Sequence, residues 1–126
     1  MLNDSRVTAI APAVDLQRAR KYYEDVLGLR PADENPGGFT YRLGGGTELF
    51  LYESEYAAQA GHTIAAFRVD DIARAVDELK SRGAQFERYD LPEVEWDGDI
   101  ASNPEMGKVA WFKDSEGNIL ALEQAP

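Results

Sequence analysis

VTAIAPAVDLQRARKYYEDVLGL, residues 7–29, is the stretch whose reading decides the fold. Val7 to Ala13 is short, apolar and free of glycine, which predicts a strand. Pro12 falls near its end, where a missing N–H does least harm. Asp15 is then a good N-cap. Leu16, Ala19, Tyr23, Val26 and Leu27 follow at i, i+3, i+7, i+10 and i+11, one face of a helix. Gly28 stands where a left-handed residue ends a helix, and Pro31 follows as a stop signal.

Downstream, residues 31–35 read as a weak strand and 39–43 as a firmer one. Gly44-Gly45-Gly46 reads as a hairpin turn; it lacks the Lys and following helix of a phosphate loop. Residues 47–52 alternate as a strand, with Leu49 and Leu51 on one side and Glu48, Phe50 and Tyr52 on the other. Residues 59–61 form a linker, after which the order starts again. Residues 63–69 are a strand, Asp70 or Asp71 caps a second helix, and Ile72, Ala75, Val76 and Leu79 give its apolar face. Gly83 closes it. Residues 85–89 read as a short strand, 91–107 as an acidic loop carrying Trp96, and 108–113 with 119–123 as a final hairpin. Asp15-Leu16-Gln17-Arg18-Ala19 and Asp71-Ile72-Ala73-Arg74-Ala75 each open a helix after an apolar strand, so the chain contains an internal repeat. The expected architecture is α+β, one domain over 1–126, with βαβββ modules at 7–56 and 62–124.

Composition narrows the function classes. A chain of 126 residues suits one domain with its own core, and the absence of cysteine removes disulfides and thiolate chemistry. No apolar run is long enough to span a bilayer, and the N-terminus lacks the pattern of a signal peptide. A cytoplasmic protein without membrane contact is expected. The net charge of −10 disfavours nucleic acid as a partner and is compatible with a cationic ligand.

Three motifs in order resemble a known group. Val14-Asp15-Leu16 with Tyr22-Tyr23 and Val26-Leu27-Gly28-Leu29 is one. Phe67-Arg68-Val69-Asp70-Asp71 with Leu79 and Gly83-Ala84 is the second. Phe112-Lys113-Asp114-Ser115-Glu116-Gly117-Asn118 is the third, with Ser115 where Pro is usual. Together they resemble the vicinal-oxygen-chelate superfamily of glyoxalases, bleomycin-resistance proteins and extradiol dioxygenases, over nearly the whole chain. The resemblance implies two βαβββ modules forming a curled mixed sheet around a concave cavity, usually in a homodimer. It also implies a divalent metal held by His, Glu or Gln on the first and last strands of each half.

Carried over position by position, those ligand sites fall on Thr8, Phe50, Ile64 and Ala121. Phe, Ile and Ala have no donor atom, and a lone Thr hydroxyl does not hold a labile metal. No cofactor and no metal is therefore expected at the usual site. A displaced site would use His62, the only histidine, with Glu48 and Glu123. His62 is of the type that serves as a general base near neutral pH, but no nucleophile or partner stands out beside it. No nucleophile elbow is present either.

Alternation places Ile10, Thr40, Arg42, Glu48, Phe50, Tyr52, Ile64, Ala66, Arg68, Trp111 and Ala121 toward the cavity, with Phe112 as the rival to Trp111. This mostly apolar lining with a few polar groups suits a small-molecule pocket. Trp96 either closes over a ligand from its loop or packs that loop onto the dimer, and Arg42 and Arg68 either hold an anionic group or form salt bridges. The predicted ligand-binding set is Thr8, Ile10, Arg42, Glu48, Phe50, Tyr52, Ile64, Arg68, Trp96, Trp111 and Ala121. The expected function is metal-free binding of a small cationic or aromatic compound, for sequestration or sensing. The alternative is a metal-dependent lyase, isomerase or dioxygenase using displaced ligands; a protein partner without ligand is a third class.

Overall fold

In the computed structural model, which describes residues 1–126, the opening apolar run forms strand β1 (Thr8–Ala13) and Asp15 caps helix α1 (Leu16–Asp25). The Asp15 carboxylate accepts the Arg18 N–H, as an N-cap does. Gly28, at φ +70°, turns the chain out of the helix, close beside the Arg82 guanidinium. Strands β2 (Asp33–Asn35), β3 (Gly38–Arg42) and β4 (Glu48–Glu53) complete the first half. Gly45 and Gly46 adopt positive φ in the turn joining β3 to β4, which explains the triple glycine.

The second half repeats the plan. Strand β5 (Thr63–Arg68) leads into helix α2 (Ile72–Ser81), and of the two aspartates considered it is Asp71 that caps it, through the Arg74 N–H. Strand β6 (Phe86–Glu87) is shorter than expected. Residues 91–107 are not the plain loop the sequence suggested. They carry a small hairpin, β7 (Glu95–Asp97) and β8 (Ile100–Asn103), turned at Gly98 with φ +61°. Strands β9 (Gly107–Lys113) and β10 (Ile119–Gln124) end the chain.

Two mixed, open sheets result, in the order β1-β4-β3-β2 and β5-β10-β9-β8-β7, with β6 pairing to β9 off the main path. In each, the first strand runs parallel to the last and occupies an edge. The fold is thus α+β, with two curled sheets and one helix per half. Edges β1 and β5 lie alongside each other without ladder pairing.

One face of each sheet packs on the helices. Ala11, Ala13, Leu49, Leu51, Phe39 and Tyr41 meet Ala19 and Tyr23 of α1; Phe112, Leu120 and Leu122 meet Ile72 and Val76 of α2, and all belong to one continuous core. The β9–β10 turn fastens the halves together. The Arg18 guanidinium donates to Glu116, whose carboxylate also accepts the Asp15 N–H. The Tyr23 hydroxyl donates to Asp114 at 2.8 Å, and the Asn118 amide donates to the Pro12 carbonyl at 2.7 Å. This leaves the opposite face of each sheet outside the core.

Candidate ligand-binding site

The period of two along a strand decides which side chains reach that outer face. In the parallel β1–β4 ladder Thr8 pairs with Glu48, Ile10 with Phe50 and Pro12 with Tyr52, while Ala9, Ala11, Ala13, Leu49 and Leu51 turn toward the helices. Thr40 and Arg42 of β3 stand opposite Phe50 and Glu48. In the second sheet Ala66, Ala121 and Trp111 form one cross-strand row, and Arg68, Glu123 and Val109 the next. Trp111 rather than Phe112 belongs to this face, because Phe112 is fully buried against the helices.

A cleft of about 880 Å³ opens along the seam between β1 and β5. It gathers Thr8, Ile10, Glu48, Ile64, Ala66 and Arg68 from the outer face and runs between the sheets to Ala9, Leu49, Phe67 and Val69, which pack in or against the core. Its lining is mainly apolar, and Ile10, 49% exposed, forms part of it. Arg42 lines a smaller neighbouring recess with Arg6 and Glu48. Phe50 and Tyr52 stand beside the cleft as a stacked pair, ring centroids 6.3 Å apart and planes 10° apart.

The cations of the set are tied down. Arg42 meets Asp33 at 2.8 Å and Arg68 meets Glu123 at 3.0 Å. Both pairs are largely exposed, so each contributes little to stability and can be exchanged for a ligand at small cost.

Trp96, Trp111 and Ala121 lie farther out on the second sheet. Trp96 is on strand β7 rather than on a loop, so its position is set by pairing with Ala101 of β8. Its ring lies 6.3 Å from that of Trp111, and Trp111 in turn meets Tyr89 edge-on at 5.4 Å. The Trp111 Nε1–H donates to the Thr63 hydroxyl at 3.0 Å. The Tyr89 hydroxyl donates to Glu87, and its pKa is raised, first by burial and then by that carboxylate. Tyr89 was not singled out in the sequence, although reading 85–89 as a strand puts it on the same side as Glu87.

The positions where a metal would be held do not fit one. Thr8 offers a hydroxyl; Phe50, Ile64 and Ala121 offer nothing. The register sets Glu48, not Phe50, opposite Thr8, so a single carboxylate approaches that end of the cleft. The displaced set does not assemble either: His62 is exposed with Nδ1 against the Thr63 carbonyl, Glu123 is engaged by Arg68, and no group of three His, Asp or Glu side chains is placed to hold an ion.

This arrangement of paired modules matches a family model, the Glyoxalase/Bleomycin resistance protein/Dioxygenase superfamily, over residues 7–122. The chain belongs to that superfamily. Solved structures agree on the fold. TnmS3, an antibiotic-binding protein from Streptomyces sp. CB03234, superposes with a TM-score of 0.71 at 22% identity, covering 95% of this chain and 96% of that one. A bleomycin resistance determinant encoded on the transposon Tn5 gives 0.72 at 22% identity, covering 96% and 98%. A bleomycin-binding protein solved in complex with bleomycin gives 0.71 at 22%, covering 97% and 99%. No curated protein matches the chain. At the positions that the sequence resemblance assigns to metal ligands, this member of the superfamily carries Thr8, Phe50, Ile64 and Ala121.

Proposed function

We propose that this protein binds a small organic molecule in the β1–β5 cleft without a metal, and so sequesters or senses it. The observation that carries this reading is the chemistry of the cleft: a roomy, mostly apolar seam in which the ligand positions have become Thr8 and Ile64, with Phe50 and Ala121 on the adjoining strands. Such a lining favours burial of apolar surface and offers few groups for acid–base chemistry. Solved relatives of the same fold that bind antibiotics, among them the one complexed with bleomycin, support the reading. The metal-dependent lyase, isomerase or dioxygenase alternative lacks a donor set.

In this proposal the whole chain, 1–126, acts as one unit in the cytoplasm, and the open outer faces of the two sheets are completed by a second copy in a homodimer. No helix is long and apolar enough to cross a membrane. The test is a screen of small organic compounds by quenching of the two tryptophans, followed by Ala66→Arg, which fills the cleft from an exposed position outside the core. Hits that lose binding in Ala66→Arg support the site; hits that bind it unchanged contradict it. Sedimentation at rising concentration tests the dimer, which predicts a mass near twice that of the chain.

A further inference from the structure

The outer face of the second sheet carries a more specific feature than the cleft. Trp96, Trp111 and Tyr89 form a continuous aromatic wall, with successive centroids 6.3 and 5.4 Å apart. The polar atoms of Trp111 and Tyr89 are already engaged with Thr63 and Glu87, so these two rings can offer a ligand only their faces and edges. Against the wall lies the Arg88 guanidinium, 5.5 Å from the Trp96 centroid.

The charges around this wall divide in a definite way. Glu87 is taken by Lys113 and Tyr89, and Glu123 by Arg68. Glu95 and Asp97 flank Trp96 on β7 and by alternation point to the opposite side of the sheet. On that opposite side Asp99, in the β7–β8 turn, pairs with Lys80 of α2. Arg88 has no carboxylate partner. Glu95 and Asp97 therefore point away from the wall; Asp90, next to Tyr89, is in no ion pair, but the charged group that lies on a ring of the wall is the Arg88 guanidinium, although the chain as a whole carries −10.

We infer that the wall of Trp96, Trp111 and Tyr89 with Arg88 is a subsite for a planar aromatic group bearing an anionic substituent, such as a carboxylate or phenolate. This rests on the small-molecule reading above and replaces its cationic option with an anionic one. The ring system stacks on the indoles, and the guanidinium swings from the Trp96 face to meet the anion as a charge-assisted fork.

The test uses three probes of one shape: naphthoate, naphthylmethanol and naphthylmethylammonium, titrated against the full chain with tryptophan fluorescence as readout. Naphthoate should bind about tenfold more tightly than the ammonium probe, with the alcohol between. Arg88→Gln, at an exposed position outside the core, should erase that order while keeping the alcohol's affinity. Equal or tighter binding of the ammonium probe, or an unchanged order in Arg88→Gln, would overturn the subsite and leave the small-molecule reading standing. Absence of binding by all three, together with an empty compound screen, would overturn both.

Discussion

At Asp114 and Glu116, two residues apart in the closing turn, the same burial acts on two carboxylates with opposite results. Burial is the larger influence at Asp114 and raises its pKa, in spite of hydrogen bonds from Asn118, Tyr23 and the backbone. At Glu116 burial also acts upward, but the Arg18 hydrogen bond, the Asp15 N–H and Ser115 together prevail and lower the pKa. A carboxyl lowered in the folded state contributes stability above its unfolded pKa, and that contribution disappears as the pH falls through the carboxylate range. Glu116→Gln should therefore be less stable at neutral pH and show a shallower loss on acidification below about pH 4, by urea denaturation. Asp114 works in the opposite sense, since protonation relieves its buried charge. Tyr41 presents the reverse case of a buried hydroxyl without any partner, its pKa pushed up to about 12 chiefly by burial. Tyr41→Phe removes an unsatisfied group at constant shape and should raise stability by about 1 kcal/mol in the same assay.

Among the elements, those set by a strong local signal were legible from residues alone. Asp15, Gly28 and the leucine alternation around Phe50 each name their own conformation, and the repeat of strand, capped helix and glycine gave the two halves, although Asp70 and Asp71 are equal candidates for the second cap until packing selects Asp71. The β7–β8 hairpin escaped, because strands of three and four residues are too short to show a period; Asp97-Gly98 was the available signal for its turn. Trp111 against Phe112 was undecidable from alternation, since both sides of β9 carry an aromatic residue and only packing on Phe86 and α2 buries one of them. Gly38 shows how little slack the first sheet has: a Cβ there would collide with the Leu51 carbonyl of β4. Gly38→Ala should cost about 3 kcal/mol, near the upper end for single substitutions, whereas Asp71→Ala should cost about 1 kcal/mol through the lost cap. A denaturation series that ranked these two in the other order would contradict the register described here.

For the molecule as a whole, the halves are fastened through their helix-facing sides by the β9–β10 turn, while the cleft opens at the β1–β5 seam and the outer faces carry the Phe50–Tyr52 stack and the aromatic wall. From the sequence, Thr8 and Ile64 turn toward a common cavity, and both line the cleft; that β1 and β5 become neighbouring edges could not be read from residues alone. Nor could the location of free charge, since pairing between Arg68 and Glu123 and the turning away of Glu95 and Asp97 depend on tertiary register. The central claim is that this superfamily member binds its ligand without a metal. The most direct test is elemental analysis of the purified, untagged protein, before and after incubation with Fe(II), Mn(II), Ni(II) and Zn(II). The account predicts metal far below one ion per chain in every case; about one tightly held ion per chain would contradict it and return His62, Glu48 and Glu123 as the first residues to mutate.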